Sequence, residues 1–203
     1  MKSKYFSEFL GTTFLFCTVV GSGIMGQNLS SNDSLTLLAN TLATVFALYF
    51  LITIFGDHSS HFNPVVSMVM LVRKEISTQV CTIFIILQIS GAILGVMLAN
   101  YIFELDPVLF SEKPRSGTHL FVSEILATFG LLMVILLSAK EKVAVTVAAY
   151  IGAAYWFTSS TSFANPAGTI GRSFSNTFAG ISTNDILHFC VAQIIGAFLA
   201  LII

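Results

Sequence analysis

His61-Phe62-Asn63-Pro64-Val65 and, in the second half of the chain, Phe163-Ala164-Asn165-Pro166-Ala167 are two copies of one phrase, each set in a long and almost uncharged apolar context. In each copy the asparagine oxygen can cap a helix while the proline takes the first helical position, where its missing N–H costs nothing. Each phrase therefore reads as a helix start. A helix that starts within a membrane leaves free backbone groups, which must be buried in protein or line a water-filled path. Two such starts predict a pore.

The surrounding composition supports a membrane setting. The chain has 203 residues, of which 55% are hydrophobic and 9% charged, and its mean hydropathy is +0.88. These values exclude an ordinary soluble domain. A spanning helix needs about 20 apolar residues, and such runs lie near 5–25, 35–55, 79–103, 119–138, 143–161 and 186–203, six in all. The first run begins after Lys2 and Lys4 in the manner of a signal peptide, yet it holds Glu8 and is too long for that segment, so it is expected to be retained.

With the amino terminus inside, Lys2, Lys4, Arg73, Lys74, Lys140 and Lys142 fall on the inner side and Lys113, Arg115 and Arg172 on the outer side. That bias places both termini in the cytoplasm. A net charge of -1 gives no sign of a nucleic-acid partner. Cys17, Cys81 and Cys190 are isolated in apolar spans without metal-ligand spacing and read as small buried hydrophobes.

The two phrases belong to a larger repetition. Ser7-Glu8-Phe9-Leu10 is echoed by Ser123-Glu124-Ile125-Leu126, and Gln88-Ile89-Ser90-Gly91-Ala92 by Gln193-Ile194-Ile195-Gly196-Ala197, with Asn63 and Asn165 between them in the same order. The chain reads as a duplication within one channel domain over 1–203, with a first repeat over 1–105, a connecting loop over 106–118 and a second repeat over 119–203. Each half holds an odd number of spans, so the second half enters from the opposite side and the repeat is inverted. The Asn-Pro segments are then half helices entering from opposite faces, their amino ends meeting near the midplane. Gly91-xxx-Gly95 and Gly196-xxx-Ala200 offer small residues for close helix approach.

Over essentially its whole length the sequence resembles the aquaporin, or major intrinsic protein, family. The doubled Asn-Pro box, the glutamate in the first span of each half and His61 just before the first box carry the resemblance. It implies an all-α membrane protein, a right-handed bundle of six transmembrane helices plus two re-entrant half helices, assembled as a homotetramer with one pore per subunit. Asn63 and Asn165 are then donors to a passing neutral solute, in boxes completed by Pro64, Val65, Pro166 and Ala167, with Val65 on an apolar side of the pore. The positive ends of the half-helix dipoles, facing each other at the midplane, would repel cations, as electrostatic barriers do in aquaporin-type pores.

Most members of that family place an arginine directly after the second box, where this chain has Gly168. Spacing from the boxes transfers the remaining filter positions to Ser162, Ala153 and either Ala43 or Thr44. All are small, so the resemblance implies a widened constriction. The segment from Asn165 through Ile170-Gly171-Arg172 is similar to a bacterial subgroup associated with arsenic resistance. The solutes implied are water, glycerol, other polyols, small organic acids and uncharged metalloid hydroxides such as arsenite or methylated arsenicals, conducted across a bacterial inner membrane. Arg172, one helical turn beyond Gly168, is expected either to place a positive charge at the outer vestibule or to hold the outer loop.

Glu8 and Glu124 are intramembrane carboxylates and thus functional candidates. The family resemblance makes them supports for the segments leading to the half helices; the alternative is a secondary transporter of similar inverted-repeat architecture with Glu8 and Glu124 as coupling sites. His61 reads as a ligand of loop backbone beside the first box or as a pH sensor. No nucleophile elbow or zincin motif accompanies the histidines. The reading is therefore a channel with no enzymatic activity, no metal and no cofactor.

Overall fold

The computed structural model describes residues 2–203; the side chain of Lys2, counted above on the inner side, lies outside the described residues. The described chain is helical, with α1 (Lys2–Leu29), α2 (Asp33–Phe55), α3 (Pro64–Val72), α4 (Thr78–Ile102), α5 (Thr118–Leu137), α6 (Val143–Phe157), α7 (Pro166–Arg172) and α8 (Ile186–Leu199). Short 3-10 turns precede α6 and flank α8. Five stretches are long and apolar enough to cross a membrane, namely Lys4–Leu29, Asp33–Phe55, Thr78–Ile102, Thr118–Leu137 and Thr183–Ile202.

The remaining expected span is shorter than its apolar run. α6 has 15 residues and ends at Phe157, whereas apolarity alone carries it to 161. Residues 158–164 form a loop in which Thr161, Ser162 and Ala164 adopt positive φ values of 61°, 50° and 46°, conformations that a continuing helix excludes. This loop delivers the chain back into the bundle at Asn165. The connecting loop likewise ends at Gly117, because α5 starts at Thr118.

α3 and α7 are the two half helices, of 9 and 7 residues. Asn63 accepts the Val65 N–H, Asn165 accepts the Ala167 and Gly168 N–H groups, and each helix carries proline at its start. Both are too short to cross a bilayer. α4 packs along α1 and α8 along α5, while α2 packs on α6. α3 lies against α4 and α8, and α7 lies against α4 and α8 as well.

Glycines set the closest helix approaches, and they do so at matching places in the two halves. A Cβ on Gly91 would stand 2.6 Å from the Phe9 carbonyl oxygen, and a Cβ on Gly196 2.3 Å from that of Ile125. Phe9 and Ile125 follow the repeated glutamates, so the same α1/α4 contact recurs as α5/α8. The bundle's outside is apolar, with Phe46, Ile54, Ile86, Tyr101, Val122 and Leu137 all exposed. Its interior holds Glu8, Gln88, Glu124 and Gln193 with no exposed surface. That inversion suits a bilayer rather than water.

Candidate functional site: the channel between the half helices

Glu8 of α1 fixes the first half helix through the loop that leads to it. Its carboxylate accepts the His61 N–H (2.7 Å), the Phe62 N–H (2.8 Å), the Gln88 Nε2–H (2.7 Å) and the Ser59 hydroxyl. Glu124 of α5 does the same for the second, accepting Phe163 N–H (2.9 Å), Ala164 N–H (2.9 Å) and Gln193 Nε2–H (2.7 Å). The two glutamines also reach the half helices themselves. Gln88 donates to Ser67 (3.0 Å) and Gln193 to Thr169 (2.9 Å), each acceptor lying four residues after its asparagine. His61 Nδ1 meets the same Ser67 hydroxyl at 3.0 Å.

With their N–H groups held by carboxylates, the residues just before the asparagines turn left-handed, Phe62 at φ 49° and Ala164 at φ 46°. A non-glycine residue there is strained by about 1–2 kcal/mol. The turn aims each carbonyl at the opposite half. Asn63 Nδ2 donates to the Ala164 carbonyl (2.7 Å), and Asn165 Nδ2 donates to the Phe62 carbonyl (2.8 Å). The half-helix tips are thus cross-linked by a reciprocal pair of hydrogen bonds. Each amide carries two N–H bonds, and one of each is engaged here. One donor per asparagine remains.

A cavity of about 160 Å³ passes these tips, and both asparagines line it. Its lining comes from α1, α2, α3, α5, α6, α7 and the two loops. α4 and α8 contribute nothing to it and stand behind the half helices. Toward the face that carries Lys4 and Lys140 the walls are apolar, built from Ile52, Met70, Ile135, Val143 and Val147. Toward the opposite face they become polar and aromatic, with Phe16, Thr44, Tyr155, Ser162, Phe163 and Arg172. On the Lys4 side His61 joins this cavity to a wider vestibule of about 660 Å³ that Asp57, His58 and Glu141 help to line.

The residues read from the sequence fall unevenly around this passage. Asn63, Asn165, Thr44, Ser162, His61 and Arg172 line it. Pro64, Val65, Pro166 and Ala167 are buried within the half-helix packing and do not line it; the neighbour Val66 does. Ala153 is exposed on the outside of α6, because the inward face of that helix runs through Val147, Ile151 and Tyr155 at four-residue steps. Ala43 is half-buried and faces away, leaving Thr44 inward with its hydroxyl 3.1 Å from that of Tyr155.

Gly168 is buried beside Phe16, whose ring atoms Cε1 and Cζ would stand 2.3 Å from a Cβ at that position. The space expected to widen the constriction is therefore filled from α1. Phe16 and Tyr155 are among the lining residues that the motif spacing missed, since nothing in the sequence marks an isolated aromatic on α1 or α6 as inward. Gln88 and Gln193 carried a signal, their recurrence, but no role.

Arg172 is the last residue of α7 and lines the polar end of the cavity. Its Nε donates to the Ala179 carbonyl, which ties down the loop after α7, and its guanidinium lies 3.3 Å from the Phe163 ring centroid while lining the cavity. Arg115 sits 4.7 Å from the same centroid and donates to the Gly180 carbonyl (2.8 Å). Lys113 donates to the Phe178 carbonyl (2.8 Å).

The family model of the Major intrinsic protein matches residues 1–202. The chain belongs to the Major intrinsic protein family. Among curated relatives, the Aquaglyceroporin AqpS of Rhizobium meliloti (strain 1021) is 46% identical over 199 residues, covering 96% of this chain and 85% of that protein. The X-ray structure of the aquaglyceroporin from Plasmodium falciparum shares the fold, with a TM-score of 0.72 and 18% identity over 98% of this chain and 93% of that one. As a major intrinsic protein the chain is a multi-pass membrane channel and not an enzyme.

Proposed function

We propose that this channel conducts small uncharged polar solutes passively, water and glycerol first, through the cavity between the two half helices. The crossed asparagine pair carries the reading: with one N–H of each amide used on the opposite loop, the second N–H of Asn63 and of Asn165 is left for a solute oxygen. Donors on one side and apolar walls on the other replace bulk water without holding the solute tightly, which keeps transit fast. About 10–15 Å³ of such space admits one water, so a cavity of about 160 Å³ accommodates a file of waters or a polyol. The name of the 46% identical relative points to the same solute class.

The filter in this reading is the far polar ring, Thr44, Tyr155, Ser162 and Arg172 with Phe16 beside Gly168. Uncharged metalloid hydroxides such as arsenite and methylated arsenicals belong to the same class of solute. The working form is a homotetramer in a bacterial inner membrane, with both termini cytoplasmic, so that the Lys4 side is the inner mouth. Ion coupling through Glu8 and Glu124 is disfavoured, because both carboxylates are held by backbone and glutamine N–H donors.

Light scattering of proteoliposomes under osmotic gradients of water, glycerol and arsenite tests the proposal. Glycerol entry is expected to exceed that of empty vesicles and to be indifferent to an imposed proton or sodium gradient. Gradient-driven uphill uptake would establish a transporter instead.

A further inference from the structure

The cations at the far mouth form no ion pair among the described residues. Arg172 has only 5% of its surface exposed, and among the described residues its Nη1 and Nη2 have no hydrogen-bond partner, Nε alone being bound to the Ala179 carbonyl. Arg115 and Lys113 stand in the same carbonyl-lined corner, on Gly180 and Phe178. Among the described residues the single ion pair is Arg73 with Glu75, which is elsewhere. Glu124 is occupied by its N–H donors, and Asp185 accepts the Arg115 backbone N–H (2.7 Å). An uncompensated buried cation is costly, and an anion beside it relieves the cost.

A second, independent observation lies across the cavity. The Ser162 hydroxyl is buried without any hydrogen-bond partner, on a residue 4% exposed that lines the same cavity as Arg172. Phe16 and Phe163 supply apolar surface beside these two groups. The ring therefore offers a guanidinium edge and a free hydroxyl, next to aromatic faces, and no carboxylate.

We propose that the far mouth is a binding site for a small organic oxyanion such as a monocarboxylate, its charged oxygens taken by Arg172 Nη1 and Nη2 and by the Ser162 hydroxyl, and its alkyl group by Phe16 and Phe163. A planar guanidinium edge suits a carboxylate's two oxygens. Occupancy there blocks the route of a neutral solute, a consequence that rests on the channel reading above; binding itself does not.

The test is calorimetric titration of the purified protein with sodium acetate against an equal concentration of sodium chloride, with tetramethylammonium chloride as the cation control. Saturable binding of acetate alone is expected. It should weaken about a hundredfold in Arg172→Gln and about tenfold in Ser162→Ala, the loss of a paired and of a single hydrogen bond to a charged oxygen. Ser162→Ala leaves the Arg172–Ala179 tie intact and so decides the matter even where Arg172→Gln fails to fold. Absence of saturable acetate binding, or equal affinity of the wild type and Ser162→Ala, overturns the proposal. Glycerol entry that proceeds without acetate binding refutes this site and leaves the channel reading standing; acetate binding without glycerol entry does the reverse.

Discussion

The asparagine side chains each perform three tasks with two polar atoms. The oxygen caps its own half helix, one N–H ties the opposite loop, and the other is the donor we propose for the passing solute. Asn165→Ala removes a cap and leaves the Phe62 carbonyl without its partner, a combined loss of about 2 kcal/mol or more. Thermal unfolding in detergent should register that loss, and glycerol entry should fall by more than the folded fraction does. At position 168 the obstacle is Phe16. Gly168→Arg alone is expected to fold poorly, whereas Phe16→Ala with Gly168→Arg should recover folding and restrict glycerol, as read by detergent-solubilised yield and vesicle swelling. Lys113 has its own pH signature: burial first, then the charges of Arg115 and Arg172, push its pKa down to about 8 against the opposing Asp33. Its positive charge is therefore largely present at pH 7 and largely lost at pH 9, while acetate stays ionised throughout. Acetate affinity should fall across that interval in the wild type, and in Lys113→Met the fall should be absent.

Among the elements, the half helices owe their position to parts that repeat. A glutamate on the first helix of each half grips the entering loop, a glutamine on the fourth helix (α4 or α8) grips the glutamate and the half helix, and a glycine three residues after the glutamine lets the two long helices touch. Gly196→Leu would drive a side chain into the Ile125 carbonyl, and overpacking of this kind costs about 1–3 kcal/mol. A lowered unfolding temperature in that variant checks the contact. The repeated phrases made these elements legible in the sequence, because cap, proline, glutamate and glutamine all recur in order. The end of α6 was not legible. Apolarity does not report that residues 158–164 must turn back into the bundle, and spacing from the second box put Ala153 at the passage where Tyr155 lines it. Small residues at the filter likewise announced a vacancy that only packing against Phe16 could deny.

For the whole molecule, two inverted halves bring their half helices tip to tip, and the passage beside the tips runs from apolar walls on the Lys4 side to a cationic, aromatic ring on the other. Neither end follows from composition, since the net charge of -1 conceals three cations gathered within one corner. The topology, the boxes and the family were readable from the chain alone, whereas the direction in which each helix presents its inner face was set by long-range contacts. Whether the two asparagines share one passage is decided by an electron cryomicroscopy map of the protein in lipid with glycerol present. It should place glycerol oxygen within hydrogen-bond distance of both Asn63 Nδ2 and Asn165 Nδ2 in one continuous passage; a map with either asparagine turned to lipid, or with protein closing the space between them, would contradict it.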